Sequence, residues 1–573
     1  MKKLAIIGLG PRGLYALENL LEQLSKSNKV VDIIVFENSE QLGAGYVWHD
    51  AQPDSNWINI TERALSGIEK RPEITYADIV IEPFPSYHDW CNFSLKPSEI
   101  DTFPPRNKLG KYLVERYSSI EKTVKNLATF NLIKSEVKSI NYSDNYKIEI
   151  KTANKAWICD DVLLTIGHQP TELSEQLLMW KSHATNQNEL RLYDTPYPIS
   201  ELRDIKNNTG LTIGIRGFGL GMIDVMRYLV INNYGNFKVV DNATLETVYY
   251  KVKKQQLTLI PFSLDGLPLV PKPLNETIDN WYEPTTQELE FFKAEIETVA
   301  QSEINPKDIN FLIAPMAKIA SRIFMDLNEN AVAHKLTATA IEVKILNWLA
   351  DADYQDKLLQ DEKIPTEQLI QAYINMALGK VPVSLDFCIG QVWRHCQPTL
   401  YKSFSHPKLN NDIIKKVIDL DERSKRYSYG PPIESMQQIL TLIDANVLSL
   451  AFVNDPKINL ISNGWHLTNS KEKSIVCTVM INSILDEPKI LDIKTLLVKN
   501  LLDNKLIQPI HSELGIETSA DGYVISPDDK PNLPIAVLGR LAKGSVIGVD
   551  AILECFGPRI VDWAKAYVAK LEH

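Results

Sequence analysis

The chain opens with a short apolar run, Lys3 to Ile7, that feeds directly into Gly8-Leu9-Gly10-Pro11-Arg12-Gly13. Leu14, Leu17, Leu20, Leu21 and Leu24 then recur at helical spacing. Strand, glycine turn and helix in immediate succession leave few architectures open. In a GxGxxG turn the first glycine allows the sharp bend, the second lets a pyrophosphate approach the backbone, and the third lets helix and strand pack closely, while the helix N-terminus faces the phosphates. A second β-branched run, Val30 to Phe36, ends at Glu37, 29 residues past Gly8. A carboxylate at that point is placed to hydrogen-bond ribose hydroxyls and repels a 2′-phosphate, which favours FAD or NAD over NADP. Gly8, Gly10, Pro11, Arg12, Gly13 and Glu37 are therefore expected to hold a dinucleotide; the plainer alternative is a packing turn with Glu37 as a solvated loop acid.

Beyond Gly43-Ala44-Gly45, aromatic and proline-rich sequence from Tyr46 to Arg106 is too long for a simple connection and is a candidate for ligand-facing structure. A helix from Leu109 to about Leu127 and strand-like segments around 130 to 150 and 156 to 166 lead to Thr165-Ile166-Gly167-His168-Gln169-Pro170, where the chain is expected to cross between domains. Leu211 to Ile215, Gly217-Phe218-Gly219-Leu220-Gly221 and a helix from Met222 to Ile231 repeat the opening pattern. The third glycine stands at 221, where GxGxxG needs 222. Asp224 reads either as a helix-start acid or as a functional group. Around Phe262-Ser263-Leu264-Asp265-Gly266 there is no arginine to clamp a 2′-phosphate, which leaves Arg216, Lys253 and Lys254 as unplaced clamps.

From Thr285 to about Asn446 the chain is rich in helix formers and poor in turn signals. Strand patterns return at Ile458 to Leu467, Ser474 to Ile481 and Ile535 to Leu538, followed by Gly539 and a helix from about Asp550 to Leu571. The expected organisation is α/β: a Rossmann-like FAD-binding domain whose opening portion is 1–205, a nested NAD(P)-binding-type domain (206–284), a mainly helical insertion (285–446), and a return of the chain (447–573) that completes the nucleotide-binding domains.

Composition removes several function classes. With 61 Lys and Arg against 72 Asp and Glu the net charge is -11, so there is no basic footprint for nucleic acid or anionic lipid. No stretch approaches the roughly 18 apolar residues of a membrane helix, and Gly8 cuts the apolar run behind Lys2 and Lys3 too early for a signal peptide, so a cytoplasmic protein is expected. The six cysteines form no CxxC or CxxxxC, the histidines no HxxxH, and neither a GxSxG elbow nor a Walker loop is present. Metal, hydrolase, kinase and disulfide-reductase chemistry are set aside on those grounds.

Gly8 to Leu14, Gly43 to Trp48, Trp57-Ile58-Asn59, Phe103-Pro104-Pro105-Arg106, Arg216 to Met226, Gly390-Gln391-Val392-Trp393-Arg394, Arg426 to Pro432 and Val537-Leu538-Gly539-Arg540 together resemble the bacterial FAD/NAD(P)-binding domain family, itself similar to flavin-containing and N-hydroxylating monooxygenases. The resemblance spans nearly the whole chain, with Gly221 where relatives often carry Thr and Thr165-Ile166-Gly167 in place of Ala-Thr-Gly. It implies FAD, with NADPH or NADH as reductant, a small-molecule substrate and molecular oxygen; it leaves the oligomeric state open. Flavin monooxygenases need orientation, hydrogen bonds and a dry cavity more than an acid-base triad. The resemblance therefore points to Gln52, Asn56 and Asn59 near the flavin ring, although each also reads as a loop-capping amide. Trp48 covers the ring or packs in the core, and Arg106 meets flavin or an anionic substrate or lies at the surface. Gly45, Gly167, Gly217, Gly219 and Gly221 belong to the expected cofactor contacts. Gly539, Gly544 and Gly548, leading into a helix at Asp550, resemble the last flavin-binding loop of two-domain flavoproteins, where a helix N-terminus stabilises charge on the reduced ring. Arg394, Arg423, Arg426 and Tyr429 are candidates for a substrate pocket between insertion and sheet. The leading expectation is an FAD-dependent, NAD(P)H-using monooxygenase, with N-hydroxylase as its narrower form, of a small amine or amino-acid-derived metabolite. The alternatives are a flavin oxidase or dehydrogenase reduced by its substrate, and a non-enzymatic flavin-binding redox sensor or partner subunit.

Overall fold

Strands made of continuous apolar runs need cover on both faces, and this chain supplies it with helices and small antiparallel sheets. The computed structural model describes all residues except 144–146, 208–209, 232–233, 253–255, 303–304, 528–532 and 573. In chain order the main elements begin with β1 (Lys3–Ile7), α1 (Pro11–Lys26), β2 (Asp32–Phe36), α2 (Arg106–Val124), β3 (Phe130–Ile133), β4 (Asp161–Leu164), β5 (Arg191–Tyr193), β6 (Leu211–Arg216), α3 (Leu220–Val230) and β7 (Leu257–Phe262). The insertion follows as α4 (Thr286–Ala300), α5 (Asn310–Asp326), α6 (Ala338–Ala350), α7 (Thr366–Ala377), α8 (Leu385–Ser403), α9 (Asn411–Ser428) and α10 (Ile433–Asp444). The chain ends with β8 (Val479–Asn482), β9 (Ile535–Val537) and α11 (Pro558–Lys570).

Two parallel sheets organise the molecule. The first has the order β9-β4-β1-β2-β3 and the second β5-β8-β6-β7, so each glycine-turn strand has a parallel neighbour on both sides. Alternation along β1 sends Leu4 and Ile6 into a core shared with α1, α2 and α11, and Ala5 and Ile7 into one shared with Ile140, Ile148, Ile150 and Val498 on the other face. The second sheet and the insertion share a single core, in which Ile213, Ile215 and Met226 meet Met316, Phe387 and Trp393. The insertion therefore cannot be removed without exposing the second sheet.

Two expectations about the path of the chain need correction, and the returning strands divide between the sheets. β5 already lies in the second sheet, so a boundary at 205 cuts that unit. Of the returning strands, only β9 joins the first sheet: Lys457–Ile461, Gly464–Thr468 and Ser474–Cys477 form an antiparallel sheet of their own, and β8 sits inside the second sheet. The last helix begins at Pro558, not at Asp550, because Pro558 sits at the first position behind Gly557, where its missing N–H costs nothing. No helix among the described residues is long and apolar enough to cross a membrane.

Candidate functional site

The first glycine turn is fixed from both neighbouring strands. Gly8 takes φ +96°, a value that side-chain-bearing residues rarely adopt, and its amide donates to Phe36 O of β2 at 2.9 Å. On the other side the Thr165 hydroxyl, just past β4, donates to Gly8 O at 2.6 Å. A Cβ at Gly13 would stand 2.2 Å from Gly8 O, so helix and strand meet there backbone to backbone. At Gly10 the space is open, the nearest atom to an added Cβ being Gly45 Cα at 4.0 Å. The first turn of α1 has Pro11 at its start, no side-chain cap and no acidic residue, which leaves its amides for an anion. Glu37 accepts from Leu9 N at 2.6 Å and Ser39 N at 2.8 Å, and so is held against the turn rather than solvated. Open space at the second glycine, free helix amides and an anchored carboxylate fit the pyrophosphate and ribose of FAD.

The second turn repeats the frame. Gly217, at φ +112°, donates to Phe262 O of β7 at 2.7 Å, and the Ser483 hydroxyl, just past β8, donates to Arg216 O at 2.8 Å. An added Cβ would stand 2.4 Å from Ser483 O at Gly221 and would meet no atom of the described residues within 4 Å at Gly219. Gly221 thus takes the packing role of Gly13, against a different strand, which accounts for its one-residue departure from GxGxxG. The residue after Phe262 is Ser263, whose hydroxyl accepts from Gly266 N and donates to Asp265. Arg216 Nη1 donates to Asn482 at 2.9 Å; Lys253 and Lys254 lie outside the described residues.

Between the two turns runs a polar seam that sequence reasoning did not assemble. Arg106, the first residue of α2, pairs with Asp224 of α3 at 2.6 Å, and the Tyr197 hydroxyl donates to the same carboxylate oxygen at 2.5 Å. Burial works against the Arg106 cation, but Asp224 outweighs it and keeps the guanidinium charged. The structure thus gives Arg106 a protein partner, and ties the Asp224 carboxylate to it. Beside it, Arg227 lies 3.7 Å from the centre of the Trp57 ring and donates to Gln438 at 2.6 Å and Ser435 at 2.5 Å. With no carboxylate bonded to it among the described residues, Arg227 is pushed down by burial to about 10, Asp224 and Glu434 opposing.

The loop amides connect to one another as well as to the seam. Gln52 Nε2 donates to Val47 O at 2.6 Å, Asn56 Nδ2 to Gln52 Oε1 at 3.1 Å, and Arg106 N to Asn56 O at 2.8 Å. Asn56 is fully buried and its Oδ1 has no partner among the described residues. Asn59 Nδ2 donates to Tyr429 O of the insertion at 3.2 Å. Trp48 is half-buried against the first core, and its carbonyl rests where a Cβ on Gly110 would be 1.9 Å away.

At the C-terminal end, a small cleft of about 30 Å³ is lined by Arg12, Gly539, Val549, Glu554, Arg559 and Ile560 among others, and joins the first turn to the last loop. An added Cβ on Gly539 would stand 2.3 Å from Arg12 Nη1, and one on Gly548 2.1 Å from the Tyr401 ring. An added Cβ on Gly167 would meet no atom of the described residues within 4 Å. Asp550, expected at a helix start, instead pairs with Lys425 at 2.9 Å and with Arg540. Burial would raise its carboxyl, but Lys425, Arg540 and Lys543 hold it well below the usual carboxylate range.

Comparison with known proteins bears on the first of these turns. Residues 5–169 match the FAD-NAD(P)-binding family. Over 244 residues the chain is 24% identical to a nitrosuccinic acid synthase of Aspergillus oryzae, covering 42% of this chain and 37% of that protein. Over 177 residues it is 28% identical to a trimethylamine monooxygenase of Pelagibacter, covering 29% and 36%. The chain thus spans little more than a third of the length of the curated relatives it matches. Among solved structures, the L-lysine 6-monooxygenase of Pseudomonas syringae aligns over 100% of both chains with 10% identity and a TM-score of 0.45.

Proposed function

We propose that the chain is an FAD-dependent oxidoreductase that draws electrons from NAD(P)H and inserts oxygen at the nitrogen of a small amine or amino-acid-derived metabolite. The observation that carries this reading is the clasp of Arg106 by Asp224, which ties the loop beside the first glycine turn to the helix of the second. Two nucleotide sites held as one piece suit passage of electrons from a nicotinamide to a flavin. The six cysteines are free, with none in the loop from Gly43 to Asn59 where a disulfide reductase carries its dithiol. Both curated relatives are named for compounds that carry nitrogen at a functional group.

When bound, FAD supplies the redox and oxygen chemistry. The chain's own residues bind and orient. The α1 amides and Glu37 hold the dinucleotide, Gly219 leaves room for a second pyrophosphate, and Gln52, Asn56 and Asn59 order the loop between them. The unpartnered Asn56 Oδ1 is suited to accept from an N–H of nicotinamide, flavin or substrate.

The test is spectral. Purified protein should carry FAD, and anaerobic addition of NADH or NADPH should bleach it; readmitted oxygen should then be consumed faster when the amine substrate is present. FAD that neither nicotinamide bleaches would end the NAD(P)H half of the proposal.

A further inference from the structure

The carboxyl ends of the second sheet carry apolar and acidic side chains that face water. Ligands of parallel sheets sit at such ends, beside the residue that follows the second strand of the unit, here Ser263 behind β7. Its loop is tied to the second turn by Gly217 N to Phe262 O at 2.7 Å, and to the chain beyond the insertion by Ser263 N to Val453 O and Asp455 N to Ser263 O, both at 2.8 Å. The edge is therefore fixed, yet Leu264 upon it is 86% exposed, more than any other large apolar side chain among the described residues. From the β8 side Ile484, 42% exposed, leans on the same turn: a Cβ added at Gly217 would stand 3.0 Å from its Cγ1. Because β6 lies between β8 and β7, the two side chains flank the turn, and together they offer apolar cover to a flat ring.

Asp265 completes the edge. Its Oδ1 accepts from Leu267 N at 2.9 Å and from the Ser263 hydroxyl at 3.2 Å, and Gly266 N donates to that same hydroxyl oxygen at 3.0 Å. These bonds hold the carboxylate beside the strand end and use up the Ser263 hydroxyl as a donor. Oδ2 takes part in none of them. Arg216, the cation at the end of β6, is turned the other way, its Nη1 donating to Asn482 at the end of β8 at 2.9 Å. Asp455, held by its amide on Ser263 O, brings a second exposed acid to the loop. A carboxylate with one oxygen unspent accepts from a ribose 2′-hydroxyl and repels a 2′-phosphate.

We propose that the second turn selects NADH over NADPH, with Asp265 taking the adenosine ribose through its hydroxyls and Leu264 and Ile484 covering the adenine. The glycines do not make this choice, since Gly217, Gly219 and Gly221 serve either coenzyme. That the nucleotide reduces FAD rests on the function proposed above; rejection of a 2′-phosphate at this edge does not.

The test uses the FAD-loaded protein, whose first turn is occupied, and two probes that carry no nicotinamide, ADP-ribose and 2′-phospho-ADP-ribose, titrated calorimetrically. ADP-ribose should bind about fivefold or more tightly than its 2′-phosphate, and the gap should shrink as salt is raised. Asp265→Asn should bring the two affinities within about twofold of each other, and Asp265→Arg should reverse their order. Leu264→Ser should weaken both probes about threefold and leave their ratio alone. Equal or tighter binding of the 2′-phosphate by the wild type, binding of neither probe, an unchanged ratio in Asp265→Asn, or unmoved affinities in Leu264→Ser would overturn the proposal. If the probes bind with the expected ratio and neither NADH nor NADPH bleaches the flavin, the NAD(P)H half of the proposed function fails and the selective site stands.

Discussion

The two glycine turns share a frame and differ in what they show a ligand. In each, a glycine of positive φ bonds to the phenylalanine that ends one neighbouring strand, Gly8 to Phe36 and Gly217 to Phe262, and a hydroxyl from the other neighbour braces the turn. In each, one glycine permits close backbone contact and one faces open space. After the phenylalanine they diverge: Glu37, anchored on the first turn, corresponds to uncharged Ser263 on the second. The frame residues satisfy packing, which any strand-turn-helix unit must do. In the two-nucleotide reading proposed above, the residue after the strand is the one beside the ribose, and there the two turns would differ in the ligand they take.

The largest expected effect separates the turns. Gly13→Ala and Gly221→Ala each drive a methyl into a backbone carbonyl, at 2.2 and 2.4 Å. Gly13→Ala should strip the protein of FAD, whereas Gly221→Ala should leave it yellow but no longer reducible by NAD(P)H. Flavin absorbance per protein and anaerobic titration read the two outcomes. Loss of FAD from both variants alike would mean that the turns do not work as separate sites. Next in size is the seam that joins them. Asp224→Ala leaves Arg106 buried without its counter-charge and should cost about 3–5 kcal/mol in denaturant unfolding. A much smaller loss would show that the seam opens to water and does not hold the two turns together.

How much of this was legible in the sequence depends on the range of each interaction. The glycine turns could be read because every constraint on them is local: strand, bend and helix follow within about 25 residues. Glu37 was legible for the same reason, being placed by the end of its strand. Arg106 could be singled out but its partner could not, since Asp224 lies 118 residues away and only the fold brings them together. Asp550 failed in the opposite sense: Gly544 and Gly548 suggested a helix start, and the distant Lys425 and nearby Arg540 claimed the carboxylate instead. Gly221 looked like a flaw in a motif until Ser483, just past a strand far along the chain, gave it a packing partner.

A moderate effect is expected at Glu37. Its carboxylate accepts two backbone amides, so Glu37→Gln turns one acceptor oxygen into a donor and loses a charged contact to ribose, a change of about 1–2 kcal/mol or roughly tenfold in FAD affinity. Retention of FAD during dialysis measures it. Unchanged affinity would return Glu37 to a purely structural place in the turn and remove the main chemical difference between the two sites.

The smallest effect is the sharpest test of that difference. Ser263→Glu transplants the acid of the first turn onto the second, at an edge where Leu264 is 86% exposed and the added side chain has room. If the second turn binds a nicotinamide nucleotide, the new carboxylate should repel a 2′-phosphate and accept from a 2′-hydroxyl, lowering the ratio of NADPH to NADH efficiency about threefold while the FAD content stays the same. The ratio matters more than either rate, because a general distortion of the loop would slow both coenzymes together. A ratio that does not move would mean that no adenosine ribose lies beside Ser263. The open space at Gly219 would then need another occupant, and the likeness of the two turns would be one of folding alone.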